Sequence, residues 1–207
     1  MTVVHHESKT RLLDAALHVI RAKGFAQTRI EDVCEAAGLT KGSFFHHFKS
    51  KVELALAAAE YWDEMTGEAF ADAPYHALPD PLARLLGYVD FRKAILVGGL
   101  PAYTCLVGTM VQEIYATHPP IREACDKSIS GHAATLEADI AAAMAACGVA
   151  ADWTAESLAL YTQAVIQGAF ILAKAKGSDR VAAASLDHLR RHLELVFAAP
   201  GTAVRQL

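Results

Sequence analysis

Signals that start and stop helices recur along the whole of this chain, and no alternating or β-branched run long enough for a strand interrupts them. A chain of that kind can bury its apolar faces only helix against helix, so the expected fold is all-α. Leu12, Leu13, Ala16, Leu17, Val19 and Ile20 repeat at three-to-four spacing, and Gly24 closes the segment, which predicts a first helix over 8–23. Thr28 and Glu31 have the spacing of a capping box opening a short helix that ends near Ala37. Gly38-Leu39-Thr40 turns the chain, and Thr40 is placed to cap a third, short helix over 41–47. Ser50 and Glu53 form a second box, opening a longer helix that fades by Ala73-Pro74.

Asp80-Pro81 reads as an N-cap followed by proline at the first helical position, opening a helix to about Val97. Further helices are expected over 105–115, from Pro119-Pro120 to Cys147, over 154–176 and over 179–198, the last ending before Pro200-Gly201, about nine in all.

Composition narrows the function. Apolar residues make up 53% of the 207 and charged residues 20%, enough for a sizeable core and against a disordered or fibrous chain. The net charge of −4 hides a split: Met1 to Lys51 carries eight cations and five anions, a net +3, and the remainder −7. A basic head on an acidic body directs attention to the amino-terminal end. Met1–His6 has no apolar run of the signal-peptide kind, and the longest mostly apolar run, 140–151, is too short to span a bilayer, so a cytoplasmic protein without a membrane partner is expected. Cys34, Cys105, Cys125 and Cys147 form no paired motif and read as reduced thiols.

Two short helices joined by a three-residue turn with glycine have the form of a helix-turn-helix, whose second helix enters the DNA major groove. Ile30, Val33, Ala37, Leu39, Phe44 and Phe48 supply apolar positions to lock the pair against the first helix. Thr28 and Thr40 fall at helix starts, where free N–H groups and the helix dipole favour a phosphate. Lys51 lies in the first turn of the fourth helix, against the dipole, and a nearby phosphate would account for it. Gly42 has no side chain, allowing close approach to the groove.

The stretch from Gly24-Phe25 through Thr28, Ile30, Val33, Ala37-Gly38-Leu39-Thr40-Lys41-Gly42-Ser43-Phe44-Phe45-His46-His47-Phe48 to Lys51 and Leu54 closely resembles the DNA-binding signature of TetR-family transcriptional regulators. The resemblance covers about the first 55 residues. It implies a helix-turn-helix domain over 1–50 and a helical effector-binding and dimerisation domain over 51–207. It further implies phosphate contacts from Thr28, Arg29, His47 and Lys51, and a groove-facing set of Lys41, Gly42, Ser43 and His46. The family commonly has Tyr, a phosphate donor, where this chain has Phe45. The implied partners are a palindromic double-stranded operator, a second copy of the chain and a small-molecule effector.

In the body, Leu186, Leu189, Leu193 and Val196 recur at three and four in the last helix, and Leu158, Val165 and Phe170 give the preceding one broad apolar coverage. Such faces suit either an ordinary core or a partner; the resemblance implies pairing of these two helices across a dimer. Tyr61, Trp62, Met65, Phe91, Tyr103, Cys105, Met110, Glu113 and Tyr115 are a mixed set that fits a small-molecule pocket or plain core. Cys105, at an expected helix start, is a candidate for an electrophile- or redox-sensitive thiol by resemblance to a subgroup of the family.

His46-His47 diverge on a helix, and His188 and His192 lack a third ligand, so no metal site is expected. Glu60, Glu64 and Glu68 share a face without the Glu-x-x-His pairs of a di-iron site. No phosphate loop, dinucleotide fingerprint or nucleophile elbow occurs, so neither cofactor nor enzyme is expected. The rival reading is an all-α small-molecule-binding protein or enzyme that keeps the helical head as scaffold.

Overall fold

A computed structural model describes residues 7–198; Met1–His6 and the expected stop at Pro200-Gly201 lie outside the described residues. The helices are α1 (Glu7–Lys23), α2 (Ile30–Ala37), α3 (Lys41–His47), α4 (Lys51–Ala71), α5 (Pro81–Ala94), α6 (Leu100–Tyr103), α7 (Leu106–Ile114), α8 (Pro119–Ala134), α9 (Glu137–Cys147), α10 (Ala155–Lys176) and α11 (Asp179–Phe197), with a 3-10 turn at Pro74–Ala77. No strand occurs among the described residues.

The capping side chains explain most boundaries. Thr40 accepts from the Ser43 N–H at 3.2 Å, Asp80 from the Ala83 N–H at 2.7 Å, and Thr154 from the Ser157 N–H at 3.1 Å. Gly38, Gly148 and Gly177 close α2, α9 and α10 in the left-handed conformation.

Three expectations are corrected. The cap of α2 is Arg29, not Thr28: the Thr28 hydroxyl is buried and donates to the Gly24 carbonyl at 2.6 Å, while the Arg29 N–H donates to Asp32. At α4 the Ser50 hydroxyl accepts from the Glu53 N–H, but the Glu53 carboxylate accepts from Lys49 rather than from Ser50. The expected long helix to Cys147 is two helices. Thr135 folds its hydroxyl onto the His132 carbonyl at 2.7 Å, and the tight turn Leu136 N–H to Ala133 carbonyl follows; Gly131 lies in the last turn of α8, and residues 135–136 themselves are neither glycine nor proline.

The chain divides into two compact units. The first comprises the residues up to Glu68 together with Gly98–Ile129. Its core is built on Leu12, Leu13 and Ile20 of α1, Phe44 of α3, Phe48, Leu54 of α4, and Leu106 and Met110 of α7. The second comprises Ala69–Val97 and the residues from Ser130 onward, with Leu85 and Tyr88 of α5, Ile140 of α9, Ile166 of α10 and Leu186 and Leu193 of α11 buried in it.

In this second unit the stripe expected to meet a second copy is largely used within the protomer. Leu158, Phe170, Leu186, Leu189 and Leu193 are buried, and Val165 and Val196 are half-buried. α10 and α11 pack along each other and α11 packs on α5, which consumes that face. The large apolar side chains left exposed on the two helices are Leu160, Tyr161, Ile171, Leu172 and Leu195.

Candidate nucleic-acid interface

α2 and α3 are too short to persist alone. Val33, Cys34 and Ala37 of α2, with Phe44 of α3 and Phe48 beyond it, bury against Leu12, Leu13 and Ala16 of α1. Gly38 turns between them with φ 61°, a conformation that favours glycine. Arg11 reaches across from α1, its Nη2 donating to the Ala37 carbonyl at 2.6 Å, and so satisfies the end of α2.

That packing fixes which face of α3 looks outward. Phe44 is fully buried and Phe48 nearly so, leaving Lys41, Gly42, Phe45 and His46 exposed and Ser43 and His47 half-buried. Phe45 is 54% exposed, its ring standing edge-on to Phe44 at 5.3 Å. His47 is tied to α1 through a 2.7 Å contact between its Nε2 and the Ser8 hydroxyl. A methyl added at Gly42 would meet only the Thr40 hydroxyl oxygen, at an ordinary 3.6 Å, so nothing within the chain requires glycine there.

The three expected phosphate cations all have partners within the protein. Arg29 Nη2 lies 3.2 Å from Asp32, and Lys41 Nζ lies 2.5 Å from Glu31. The Lys51 ammonium donates to the carbonyls of Phe25, Ala26 and Thr28 at 2.9, 3.3 and 3.0 Å. These carbonyls account for a cation in the first turn of α4 without any phosphate. Lys23, at 2.7 Å, and then the Arg29 N–H and guanidinium hold the Asp32 carboxyl well below the usual carboxylate range. Lys41 does the same, more weakly, for Glu31.

Arg29, Glu31, Lys41, Phe45 and Lys51 thus gather around a recess of about 360 Å³. Thr28 also borders it, but its hydroxyl is turned away onto Gly24. The roles of Arg11, Lys23 and Ser8 are not legible in the sequence, and Glu31, expected to cap α2, instead pairs with Lys41. Each acts across many residues of chain and leaves no local pattern to find it by.

Of the residues considered for an effector pocket, Met110 belongs to the core of the first unit, and Tyr61, Trp62 and Cys105 pack against it. Phe91 belongs to the second unit and the others to the first. The Tyr61 hydroxyl donates to Asp14 at 2.9 Å, and burial, then that carboxylate, push its phenol up. Trp62 lies under the Arg21 guanidinium at 5.1 Å, and Arg21 also donates to the Leu17 and Ala102 carbonyls. Met65 and Tyr115 are exposed, and Tyr103 and Met110 are buried. Cys105 is half-buried and caps α7, its Sγ accepting from the Gly108 N–H at 3.3 Å. Glu113 is exposed and accepts from the Ala26 N–H at 2.7 Å, bracing the turn after α1.

Comparison with known proteins follows the same architecture. Residues 12–58 match the family of bacterial regulatory proteins, tetR family, and residues 81–191 match the tetracyclin repressor-like C-terminal domain. The HTH-type transcriptional regulator CymR of Pseudomonas putida is 47% identical over 62 residues, 30% of each chain. The HTH-type transcriptional repressor KstR2 of Rhodococcus jostii is 42% identical over 124 residues, 52% of this chain and 61% of that one. The chain spans less than two thirds of the length of either curated relative. Among solved structures, a TetR transcriptional regulator from Chloroflexus aurantiacus superposes with a TM-score of 0.76 at 27% identity, covering 91% of this chain and 93% of that one. The regulatory protein TetR from Rhodobacter sphaeroides shares the fold with a TM-score of 0.80 at 24% identity, over 90% of this chain and 99% of the other.

Proposed function

Because the chain belongs to the tetR family of DNA-binding transcriptional regulators, whose members are not enzymes, we propose that it works as a homodimeric repressor of a palindromic operator, released by a small effector. The observation that carries this reading is the outward face of α3: Lys41, Gly42, Phe45 and His46 stand free of the core while Phe44 and Phe48 anchor the helix from behind. Residues 1–50 supply the reading head, and 51–207 the dimer contact and the effector site. Lys41, Gly42, Ser43 and His46 face base edges; Arg29, Thr40, His47 and Lys51 lie toward the backbone, whereas the Thr28 N–H and hydroxyl donate to the Phe25 and Gly24 carbonyls and leave it no donor for a phosphate. That KstR2 is a transcriptional repressor supports the negative sign of control.

The dimer face in this reading is the exposed set Leu160, Tyr161, Ile171, Leu172 and Leu195 rather than the buried stripe beside it. α10 is long and apolar enough to cross a membrane by length and composition, and the exposed part of that surface is assigned to a second copy. A two-fold pair would set the recognition helices about 34–36 Å apart, one turn of the duplex. Operator DNA places the protein in the cytoplasm. Release follows if the effector prefers a dimer in which that spacing no longer fits. The half-buried Cys105 thiol offers a second route, read out as DNA release by alkylation in the wild type but not in Cys105→Ser.

Operator selection with the purified protein, followed by binding in rising salt, tests the reading. Arg29, Lys41 and Lys51 supply six cations per dimer, so the slope of log affinity against log salt should be about −5. A slope near zero, or no enriched palindrome, overturns it.

A further inference from the structure

The second unit contains a guanidinium, that of Arg92, with which no carboxylate among the described residues pairs. Tyr88, Phe91 and Arg92 fall on one face of α5 at three and four spacing. Arg92 Nε donates to the Tyr88 hydroxyl at 2.9 Å, and the guanidinium carbon lies 4.4 Å from the Phe70 ring centre. Tyr88 is wholly buried, and its hydroxyl also accepts from Gln163 Nε2 at 2.7 Å. Two donors fill the two lone pairs of that oxygen. The phenolic proton therefore goes to His132 Nε2, 3.0 Å away, which makes His132 a neutral acceptor with its proton on Nδ1. Burial and then the Arg92 charge push the His132 imidazole down to about 3, in accord with that assignment.

The cluster consequently carries one net positive charge. Among the described residues no carboxylate pairs with Arg92: nearby Asp90 is held by Arg190 at 3.0 Å and Asp139 by Arg84 at 2.7 Å. No described residue accepts from the two Nη groups either, although Arg92 is only half-buried and so within reach of a solute. Phe91 stands edge-on to Phe70 at 5.2 Å beside it. A partly desolvated guanidinium is costly without a partner, and its open edge matches the two oxygens of a planar carboxylate.

We propose that Arg92, held by Tyr88 and flanked by Phe70 and Phe91, is the anchor of a binding site for small aryl or arylalkyl carboxylates. Its use as the effector site rests on the regulatory reading above. The Nη edge grips the carboxylate, and half-buried Phe91 takes the ring, while Phe70, buried against Tyr88 and His132, backs the guanidinium. His132 and Gln163 act as positioning residues: they fix the Tyr88 hydroxyl, and through it the direction of the guanidinium.

Calorimetric titration of the full-length protein with benzoate and phenylacetate, set against benzamide and phenylacetamide, tests the site. The carboxylates should bind at least about tenfold more tightly than their amides, and Arg92→Gln should remove that preference. Equal binding of acid and amide, no binding of either acid, or a preference retained in Arg92→Gln overturns the proposal. The acid–amide comparison in the wild type stands even if the variant fails to fold. Repeating the titration on the operator complex separates the two readings. Carboxylate binding that leaves the complex intact supports the site and counts against its use as the release switch. Absent binding with intact operator affinity overturns the site and leaves the DNA-binding reading standing.

Discussion

The ammonium of Lys51 stands 2.9 Å from the carbonyl oxygen of Phe25 and 4.4 Å from the centre of the same residue's ring. One cation thereby ties the start of α4 to the turn between α1 and α2. Lys51→Met keeps the stem and removes the charge, leaving three carbonyls to water. Thermal or urea unfolding should show a loss of about 1–2 kcal/mol, a stability effect that a purely phosphate-binding lysine would not produce.

Phe45 is exposed on the proposed reading face and has no group to offer a phosphate. Phe45→Tyr adds one phenolic donor without disturbing the core, since the side chain already projects outward. Operator affinity in a band-shift titration should rise by about 1.5–3 kcal/mol per half-site, the value of a hydrogen bond to a charged group. Unchanged or weaker affinity removes Phe45 from the interface.

Gly42 meets nothing closer than 3.6 Å when given a methyl. Gly42→Ala should leave the unfolding midpoint unchanged or raise it slightly, as alanine is the better helix former by about 1 kcal/mol. It should weaken operator binding if the helix approaches the groove closely at this point. Equal affinity in the two proteins would show that the duplex does not come near residue 42.

Leu172 is 49% exposed on α10, whereas Leu186 of α11 is buried. Leu172→Arg should give a folded monomer by sedimentation, with operator binding lost because a single half-site remains. Leu186→Ala should instead cost about 2–5 kcal/mol of stability in either oligomeric state. The opposite pattern would restore the inner stripe as the dimer contact.

His132 gives the fold a dependence on pH. Its imidazole titrates at about 3 in the folded protein and near 6.5 once unfolded, so the unfolded chain binds the extra proton between those values. Stability is then greatest above about pH 6.5 and falls as the pH drops toward the folded value, by up to about 1.4 kcal/mol per pH unit. Denaturant midpoints between pH 7 and pH 5 should show this slope, and His132→Gln should flatten it while still accepting from Tyr88.

Much of this architecture is legible in local chemistry. Thr40 and Asp80 cap where their spacing predicts, and Gly38, Gly148 and Gly177 directly follow the last residues of α2, α9 and α10, because a cap involves neighbours only a few residues apart. The outward positions of α3 follow from the same short-range logic, since Phe44 and Phe48 can face only one way. Long-range partners escape it. Nothing around Arg11 announces that it will satisfy the Ala37 carbonyl, and Thr28 resembles a cap until Gly24 takes its hydroxyl. The break at Thr135-Leu136 is not itself a glycine or proline, and Gly131 one turn earlier lies within α8. On α10, apolar residues cover so wide an arc that periodicity cannot separate the side facing α11 from the side facing outward.

Gly24, at φ 86°, leaves no space for a methyl beside Glu113, and that carboxylate takes the Ala26 N–H while Lys51 takes the carbonyls on either side. The bend joining α1 to α2 is thus clasped from α7 and from α4 at once. A fragment cut at residue 50 would forfeit both clasps, leaving the bend to wander and α3 without a settled bearing. A fragment that keeps both clasps has to reach Glu113.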